Sequence, residues 1–267
     1  MLFGRLILCA LLVGLGAGLT TTAVQRWQVV PIIAAAEVFE AARVPIAEAD
    51  SRKHAPEAGP ANDHDHDAAS WQPSDGVERI FWTAVANVLG ATGFALLLLP
   101  AITWWDHRRG GQAASLMSGL IWGAGGWLCL FLWPALGLSP ELPGEAAAAL
   151  QGRQAWWLLA VGCAAAGLGL IFFGQGRWRL LGVPLLALPF IVGAPPQAGS
   201  AFVGYSAEAM GQLQALKSRF VVVTGLASAI QWLLIGALSA LAVVWWLRPA
   251  VRAAGGQPVP ATPRHIN

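Results

Sequence analysis

The stretch WPALGLSPELPGEAAAALQGRQAWW, residues 133–157, is a polar turn between two long apolar segments. Pro140, Pro143 and Gly144 oppose one continuous helix here, because proline lacks a backbone donor and glycine carries a high entropic cost. The turn also places three charged groups between segments of membrane length, at Glu141, Glu145 and Arg153. This stretch therefore predicts a turn at the mouth of a membrane protein.

The composition of the whole chain supports a membrane protein. Of 267 residues, 56% are hydrophobic and only 11% are charged, whereas a soluble domain carries about 25% charged residues. Apolar runs of roughly 20 residues can cross about 30 Å of hydrocarbon as helices. We expect an all-α, polytopic, single membrane domain of five to six transmembrane helices, with spans at 5–25, 80–104, 113–136, 154–173, 180–193 and 220–247.

Two of these spans leave alternatives open. Segment 5–25 is expected to be a retained anchor, although its length and charge also fit a cleaved signal peptide. Segment 180–193 is short and contains two prolines, so it is either a short broken span or a re-entrant segment. Glycine pairs at four-residue spacing in the first and third spans predict close helix contacts; they are Gly14 with Gly18 and Gly119 with Gly123.

The basic residues predict the topology. Six spans with both ends inside give a cytoplasmic set, including the tail 248–267, of eight arginines and one acid, Asp106. The other thirteen acids fall on the outer side, and the short connections obey the positive-inside rule. Tryptophan pairs at the span ends are expected to anchor in the headgroup layer; they lie at 104–105, 156–157 and 245–246.

The predicted outer loop, residues 26–79, contains the candidate metal ligands. It holds ten of the fourteen acids and the sequence Asp63-His-Asp-His-Asp67. Imidazole with carboxylate suits borderline divalent ions such as cobalt, nickel or zinc. The candidate ligands are His54, Asp63, His64, Asp65, His66 and Asp67. The alternative is an acidic loop that is merely well solvated.

A second set of residues could line an ion path. Glu37 and Glu40 share one face if their segment is helical, and that face either lines the path or is solvated. Asn87 is a polar residue within a span, where such side chains also join helices. The remaining candidates are in the turn: Glu141, Glu145 as an acid at the next helix N-terminus, and Arg153 as a partner of either.

Several function classes have no support in the sequence. The chain contains no HExxH, G-x-S-x-G or phosphate-loop motif, so we expect that it is not an enzyme. No basic stripe lies outside the membrane flanks, which argues against nucleic-acid binding. The three cysteines lie in apolar runs without metal-ligand spacing, so we interpret them as packed hydrophobic residues.

Blocks spread along the chain in a fixed order resemble the CbtA family of probable cobalt transporter subunits. They are Glu37–Glu40 (EVFE), the acidic His loop ending at Trp71, Asp75–Arg79 (DGVER) leading to Asn87, Pro134–Gly144 (PALGLSPELPG), Arg153–Trp157 (RQAWW), Leu186–Phe190 (LALPF) and Gly193–Pro195 (GAP). The family's loop is often longer and richer in histidine than the loop of this chain, which has His54, His64 and His66. This difference bears on the capacity of the loop to buffer metal ions.

This resemblance implies a membrane subunit of Co²⁺ uptake for cobalamin synthesis, in the bacterial cytoplasmic (inner) membrane. It also implies a partner, a small single-span His-rich subunit resembling CbtB, and about five spans. Cobalt would be the transported ion, and no permanently bound cofactor is expected. The alternatives are a non-transporting scaffold or metal-binding accessory protein, or a transporter of another divalent ion such as nickel. The sequence leaves the oligomeric state and the energy coupling undefined.

Overall fold

A computed structural model describes residues 2–41, 73–74, 76–196 and 201–254 of the chain. Within these ranges the regular structure is entirely helical, with no strand. In the same part of the chain, five helices are long and apolar enough to cross a membrane; they are Leu2–Gln28, Val77–Arg108, Leu116–Ala135, Leu150–Phe173 and Ala207–Ala253. The predicted all-α, polytopic fold is confirmed.

The helices are numbered α1 to α7 in chain order. The first three are α1 (Leu2–Gln28), α2 (Val30–Ala41) and α3 (Val77–Arg108). Helix α4 (Leu116–Trp127) continues through a π-helical turn, Leu128–Leu132, to Ala135. Then come α5 (Leu150–Phe173), a 3₁₀ turn (Gly176–Leu181) and α6 (Gly182–Val192). Helix α7 (Ala207–Ala242) continues through a second π-helical turn, Val243–Leu247, to Ala254.

Close contacts at glycines hold α1 against α3 and α4 against α7. A Cβ built on Gly14 would lie 2.7 Å from Thr92 Cα, and one built on Gly18 would lie 2.5 Å from Val88 Cα. On the other pair, a Cβ at Gly123 would lie 2.3 Å from the carbonyl oxygen of Trp232. Real Cβ atoms do not approach this closely, so larger residues would force these helices apart. The contacts predicted from the glycine spacing are present.

These four helices surround one apolar core. It contains buried residues of α1, α3 and α7 together with Ala114 before α4, including Ala10, Ala17, Ala95, Leu99, Ile102, Ile235, Val243 and Leu247. Trp232 of α7 crosses towards α3, where its ring lies 4.5 Å from that of Phe94. Alanine and glycine line the close contacts while leucine and isoleucine fill the interior, as expected where helices pack by shape.

The segment 176–195 runs antiparallel along α5. A Cβ on Gly182, the first residue of α6, would lie 2.5 Å from the carbonyl oxygen of Gly167 near the end of α5. The indole of Trp156, near the start of α5, donates to the carbonyl of Pro189 over 3.1 Å. Six 3₁₀ residues and eleven α-helical residues extend about 28 Å at the usual rises. Although α6 alone is too short to span a bilayer, the composite segment returns along α5 from one end of the bundle to the other.

Helix α7 begins well before its predicted apolar span. The predicted span starts at residue 220, but the helix starts at Ala207, where the hydroxyl of Ser206 caps it by accepting from the Ala209 amide. Residues 207–219 contain alanine, leucine, glutamine and lysine, which favour helix regardless of hydropathy. The apolar pattern marks the membrane-length part of the helix and not its first turn.

The two ends of the bundle differ in charge. One end contains the α1 N-terminus and the C-termini of α3, α5 and α7; within the described ranges it carries seven arginines and one acid, Asp106. We call it the basic end. The opposite end carries α2, the turn 136–149 and the start of α7, with six glutamates and five cations among its described residues. We call it the acidic end.

Candidate functional site

The candidate metal ligands of the long loop, His54, Asp63, His64, Asp65, His66 and Asp67, lie outside the described residues. Elsewhere, the described part of the chain has no group of three or more His, Cys, Asp or Glu side chains placed to hold a metal ion. The loop follows α2 and precedes α3, and both of those helix ends are at the acidic end. The candidate residues that the structure describes at that end are those of the predicted ion path.

Glu37 connects α2 to the beginning of α3. The predicted helix around Glu37 and Glu40 is present as α2, and the carboxylate of Glu37 lies 2.6 Å from the guanidinium of Arg79. Both side chains are more than a third exposed. The pair brackets the long loop, since Glu37 precedes it and Arg79 follows it.

Glu40 lies beside the turn 136–149. A Cβ built on Gly144 would lie 3.8 Å from Glu40 Cβ and would overlap the hydroxyl of Tyr205. Gly144 has a φ of +80°, a conformation that glycine adopts at no steric cost. Leu142 of the turn also packs in one buried cluster with Ile32 of α2. The α2 helix and the turn are thus brought together.

Glu145 pins the turn to α7. Its side chain is fully buried, forms an ion pair with Lys217 and accepts a 3.2 Å hydrogen bond from the Leu142 amide. The expectation that Glu145 is an acid at a helix N-terminus is wrong, because α5 begins only at Leu150. The intervening alanines are instead non-helical, and the amide of Ala146 donates to the carbonyl of Ala201 over 2.8 Å.

Glu141 forms a different pair from the same turn. One oxygen of its carboxylate lies 2.7 Å from the guanidinium of Arg153 on α5. The predicted pairing of Arg153 with a turn glutamate is therefore present, with Glu141 as the partner. This pair lines a cavity of about 520 Å³ with leucine and tryptophan side chains of α5.

Asn87 joins α3 to α1. Its amide donates to the hydroxyl of Thr22 over 3.0 Å and to the side-chain oxygen of Gln25 over 2.8 Å. Further into the bundle, the hydroxyls of Thr224 and Ser239 on α7 are buried and have no hydrogen-bond partner among the described residues. Thr20, Thr21, Thr22, Thr83, Thr92 and Thr103, by contrast, each bond the carbonyl four residues earlier.

The most complete charged arrangement in the described chain was not predicted from the sequence. At the basic end, both oxygens of Asp106 lie 2.9 Å from the guanidinium of Arg248, and the Ala114 amide donates to the same carboxylate over 2.8 Å. Arg248 also donates to the carbonyl of Ala114 over 3.0 Å. The arrangement ties α3, the start of α4 and α7 together. Its signal in the sequence was a single acid within a basic set.

One tryptophan differs from its predicted role. Trp156 is 5% exposed and packs against α6, so it does not anchor at the membrane surface. Its neighbour Trp157 and the exposed Trp104, Trp245 and Trp246 have the exposure expected of interface anchors. Trp133 resembles Trp156, because its indole donates to the carbonyl of Leu186 on α6 over 3.1 Å.

Comparison with known proteins gives the chain a family. Searches of curated proteins and of solved structures each returned no match. The family described as "Probable cobalt transporter subunit (CbtA)" matches residues 3–244. That match includes α1 to α6, the long loop, the turn and nearly all of α7's apolar length. The chain belongs to the CbtA family of probable cobalt transporter subunits.

Proposed function

We propose that this chain is the membrane subunit of a Co²⁺ uptake system that feeds cobalamin synthesis. The observation that carries the proposal is the family match over residues 3–244 in a chain with five described helices of membrane length. A family of transporter subunits implies a partner, and we take it to be a small single-span, His-rich protein. Cobalt is the cargo in this proposal and not a resident cofactor.

The charge distribution supports one orientation of the chain in the membrane. Short basic connections favour the cytoplasm, so the basic end faces inward and the acidic end faces out of a bacterial inner membrane. The loop between α2 and α3 then begins and ends outside the cell. In this orientation the Asp63–Asp67 segment collects Co²⁺ with His54, and an outer concentration of carboxylates attracts divalent cations.

Among the six candidate path residues, Glu40 and Asn87 are the ones that we assign to the ion. Glu37, Glu141 and Glu145 face cationic side chains, which repel a divalent ion. Glu40 forms no ion pair with any described residue, is exposed and lies beside Gly144. Asn87 lies on α3 beside Thr22 and Gln25 of α1, and together they offer neutral oxygens, the ligand type that a partly hydrated cation can exchange.

The apolar core near the basic end supports a mechanism in which the ion path opens alternately to the two sides of the membrane. Leu99, Ile102, Val243 and Leu247 are almost completely buried there, and a dry apolar core excludes a hydrated ion. Release of Co²⁺ to the cytoplasm therefore requires α3 and α7 to separate. The Asp106–Arg248 pair opposes that separation in the conformation described, so we assign it the role of an inner gate.

Cobalt accumulation at limiting metal tests the capture role. Cells expressing the chain with its partner are compared with cells that carry His64→Ala and His66→Ala together. We expect accumulation to fall, and to fall further as the medium is acidified below a pH of about 6.5, since metal ligands must be deprotonated. The His265→Ala variant in the C-terminal tail serves as the matched control. Unchanged accumulation in the double variant would refute capture by the loop.

Two alternatives are distinguished by the same assay. A non-transporting scaffold or accessory protein gives no metal uptake above background, with or without the small subunit. A nickel transporter accumulates Ni²⁺ in preference to Co²⁺ when both are supplied. Ligand type alone does not choose between these ions, because nitrogen and oxygen sites bind nickel more tightly than cobalt.

A further inference from the structure

A cavity of about 520 Å³ lies at the acidic end, between the turn and α5. Glu141 and Arg153 stand together in its wall, and the other lining residues are the neutral polar Ser139 and Gln154 and the apolar Leu138, Pro140, Leu150, Trp157 and Leu158. None of these residues lies among the glycine contacts or the buried apolar clusters. The cavity combines one negative charge, one positive charge and an apolar flank.

Both charged side chains have hydrogen-bonding positions that their ion pair leaves open. Glu141 and Arg153 are 24% and 30% exposed, and no hydrogen bond from either side chain to another described residue accompanies their ion pair. A carboxylate has about four acceptor positions and a guanidinium five donors. Because an ion pair of this kind leaves most of those positions open, a ligand that supplies both an anion and a cationic donor can satisfy them together.

The apolar flank faces away from the bundle. Leu150 is 61% exposed, Leu158 is 64% exposed and Trp157 is 38% exposed. At a membrane surface, an exposed tryptophan favours the level of the lipid headgroups, and Leu158, which follows Trp157 along α5 away from the acidic end, contacts the first acyl carbons. The cavity therefore lies where a lipid places its headgroup above its glycerol backbone.

We propose that this cavity binds a phospholipid whose headgroup contains a phosphate and a primary ammonium, as in phosphatidylethanolamine. The phosphate contacts Arg153, which can bind it with two N–H groups. The ammonium donates to Glu141, and the glycerol and first acyl carbons lie along Trp157 and Leu158. A choline headgroup lacks the ammonium hydrogens, and a glycerol headgroup lacks the positive charge that Glu141 attracts. A free divalent cation is disfavoured by Arg153.

The first experiment needs no substitution. The full chain is reconstituted in nanodiscs with equal amounts of ethanolamine, choline and glycerol phospholipids, extracted gently, and analysed by native mass spectrometry. We expect retained ethanolamine lipid to exceed choline lipid by about tenfold, the effect of one charge-assisted hydrogen bond. Equal retention of ethanolamine and choline lipids, or preferential retention of the glycerol lipid, would overturn the proposal.

Two substitutions then assign the charges. Glu141→Gln should reduce the ethanolamine-over-choline ratio to near one while phosphate binding persists. Arg153→Gln should reduce retention of all three lipids. Glu208→Gln, which alters an exposed acid at the start of α7, is the matched control and should retain the tenfold ratio. An unchanged ratio in Glu141→Gln would contradict the proposed ammonium contact, and circular dichroism of each variant identifies any that fails to fold.

Discussion

At the basic end, one carboxylate and one guanidinium share four hydrogen bonds with each other and with the backbone of Ala114. At the acidic end, the described charges form separate pairs that join different elements. Glu37–Arg79 joins α2 to α3, Glu141–Arg153 joins the turn to α5, and Glu145–Lys217 joins the turn to α7. Each of these three pairs joins two elements, whereas Asp106 and its partners join three.

Burial separates the Glu37–Arg79 pair from the basic-end pair, but it does not separate the two ends, because the side chain of Glu145 is fully buried. The side chain of Asp106 is 4% exposed, whereas those of Glu37 and Arg79 are 40% and 37% exposed. Water and salt weaken the exposed pairs, and median values for such pairs are about 0–1 kcal/mol. The contact between α2 and α3 therefore rearranges at lower cost than the Asp106–Arg248 pair, whereas the Glu145–Lys217 pair is as buried as the latter.

The largest effect is expected from Asp106→Ala. It leaves the guanidinium of Arg248 without its carboxylate in a nearly buried position, which typically costs about 3–5 kcal/mol. Thermal and denaturant unfolding of the purified chain in detergent measures the loss. The double variant Asp106→Ala with Arg248→Met should recover part of it, because no charge is then stranded. A loss below about 1 kcal/mol in the single variant would remove the contrast between the ends.

Glu145→Gln should have an intermediate effect. Glutamine can still accept from the Leu142 amide, but Lys217, which is 22% exposed, loses its charge partner. We expect about 1–2 kcal/mol of destabilisation and faster proteolysis within residues 136–149. Limited proteolysis followed by mass spectrometry locates the cuts. Glu208→Gln is the control, and unchanged cleavage of the turn would show that the pair does not hold it.

The smallest effect is expected from Glu37→Gln. This pair is more than a third exposed on both sides, so we expect at most about 1 kcal/mol in low salt. The difference from the unmodified chain should shrink further in 1 M salt, where the screening length is about 3 Å. The Asp106→Ala effect should persist in the same buffer. If the effect of Glu37→Gln persisted in high salt, the Glu37–Arg79 pair would behave like the buried Asp106–Arg248 pair, which would contradict this prediction.

The helical fold could be predicted from the sequence because it depends on local patterns. The positions of Gly14, Gly18, Gly119 and Gly123 predicted the helix contacts correctly, since close approach in a membrane requires small residues at four-residue spacing. The start of α7 at Ala207 could not be found from hydropathy, because its first turns carry polar helix formers beyond the apolar segment.

The charged pairs could be predicted only where both partners were close in the chain. Glu141 and Arg153 are joined by one turn, and Glu141 was one of the two partners predicted for Arg153. Asp106 and Arg248 are 142 residues apart, and Glu145 and Lys217 are 72 apart, so the pairs depend on which helices are neighbours. Trp156 was misjudged for the same reason, because α6 returns along α5 and covers it.

The length of α7 has a mechanical consequence. With its continuation it runs 47 residues, Ala207–Ala253, or about 70 Å at the usual rise per residue, more than twice the roughly 30 Å of a bilayer core. A tilt of about 5° about the centre of a rod of that length would displace each tip by about 3 Å. Because Lys217 and Arg248 lie on this one helical run, a tilt that accompanied movement of the turn would also move Arg248.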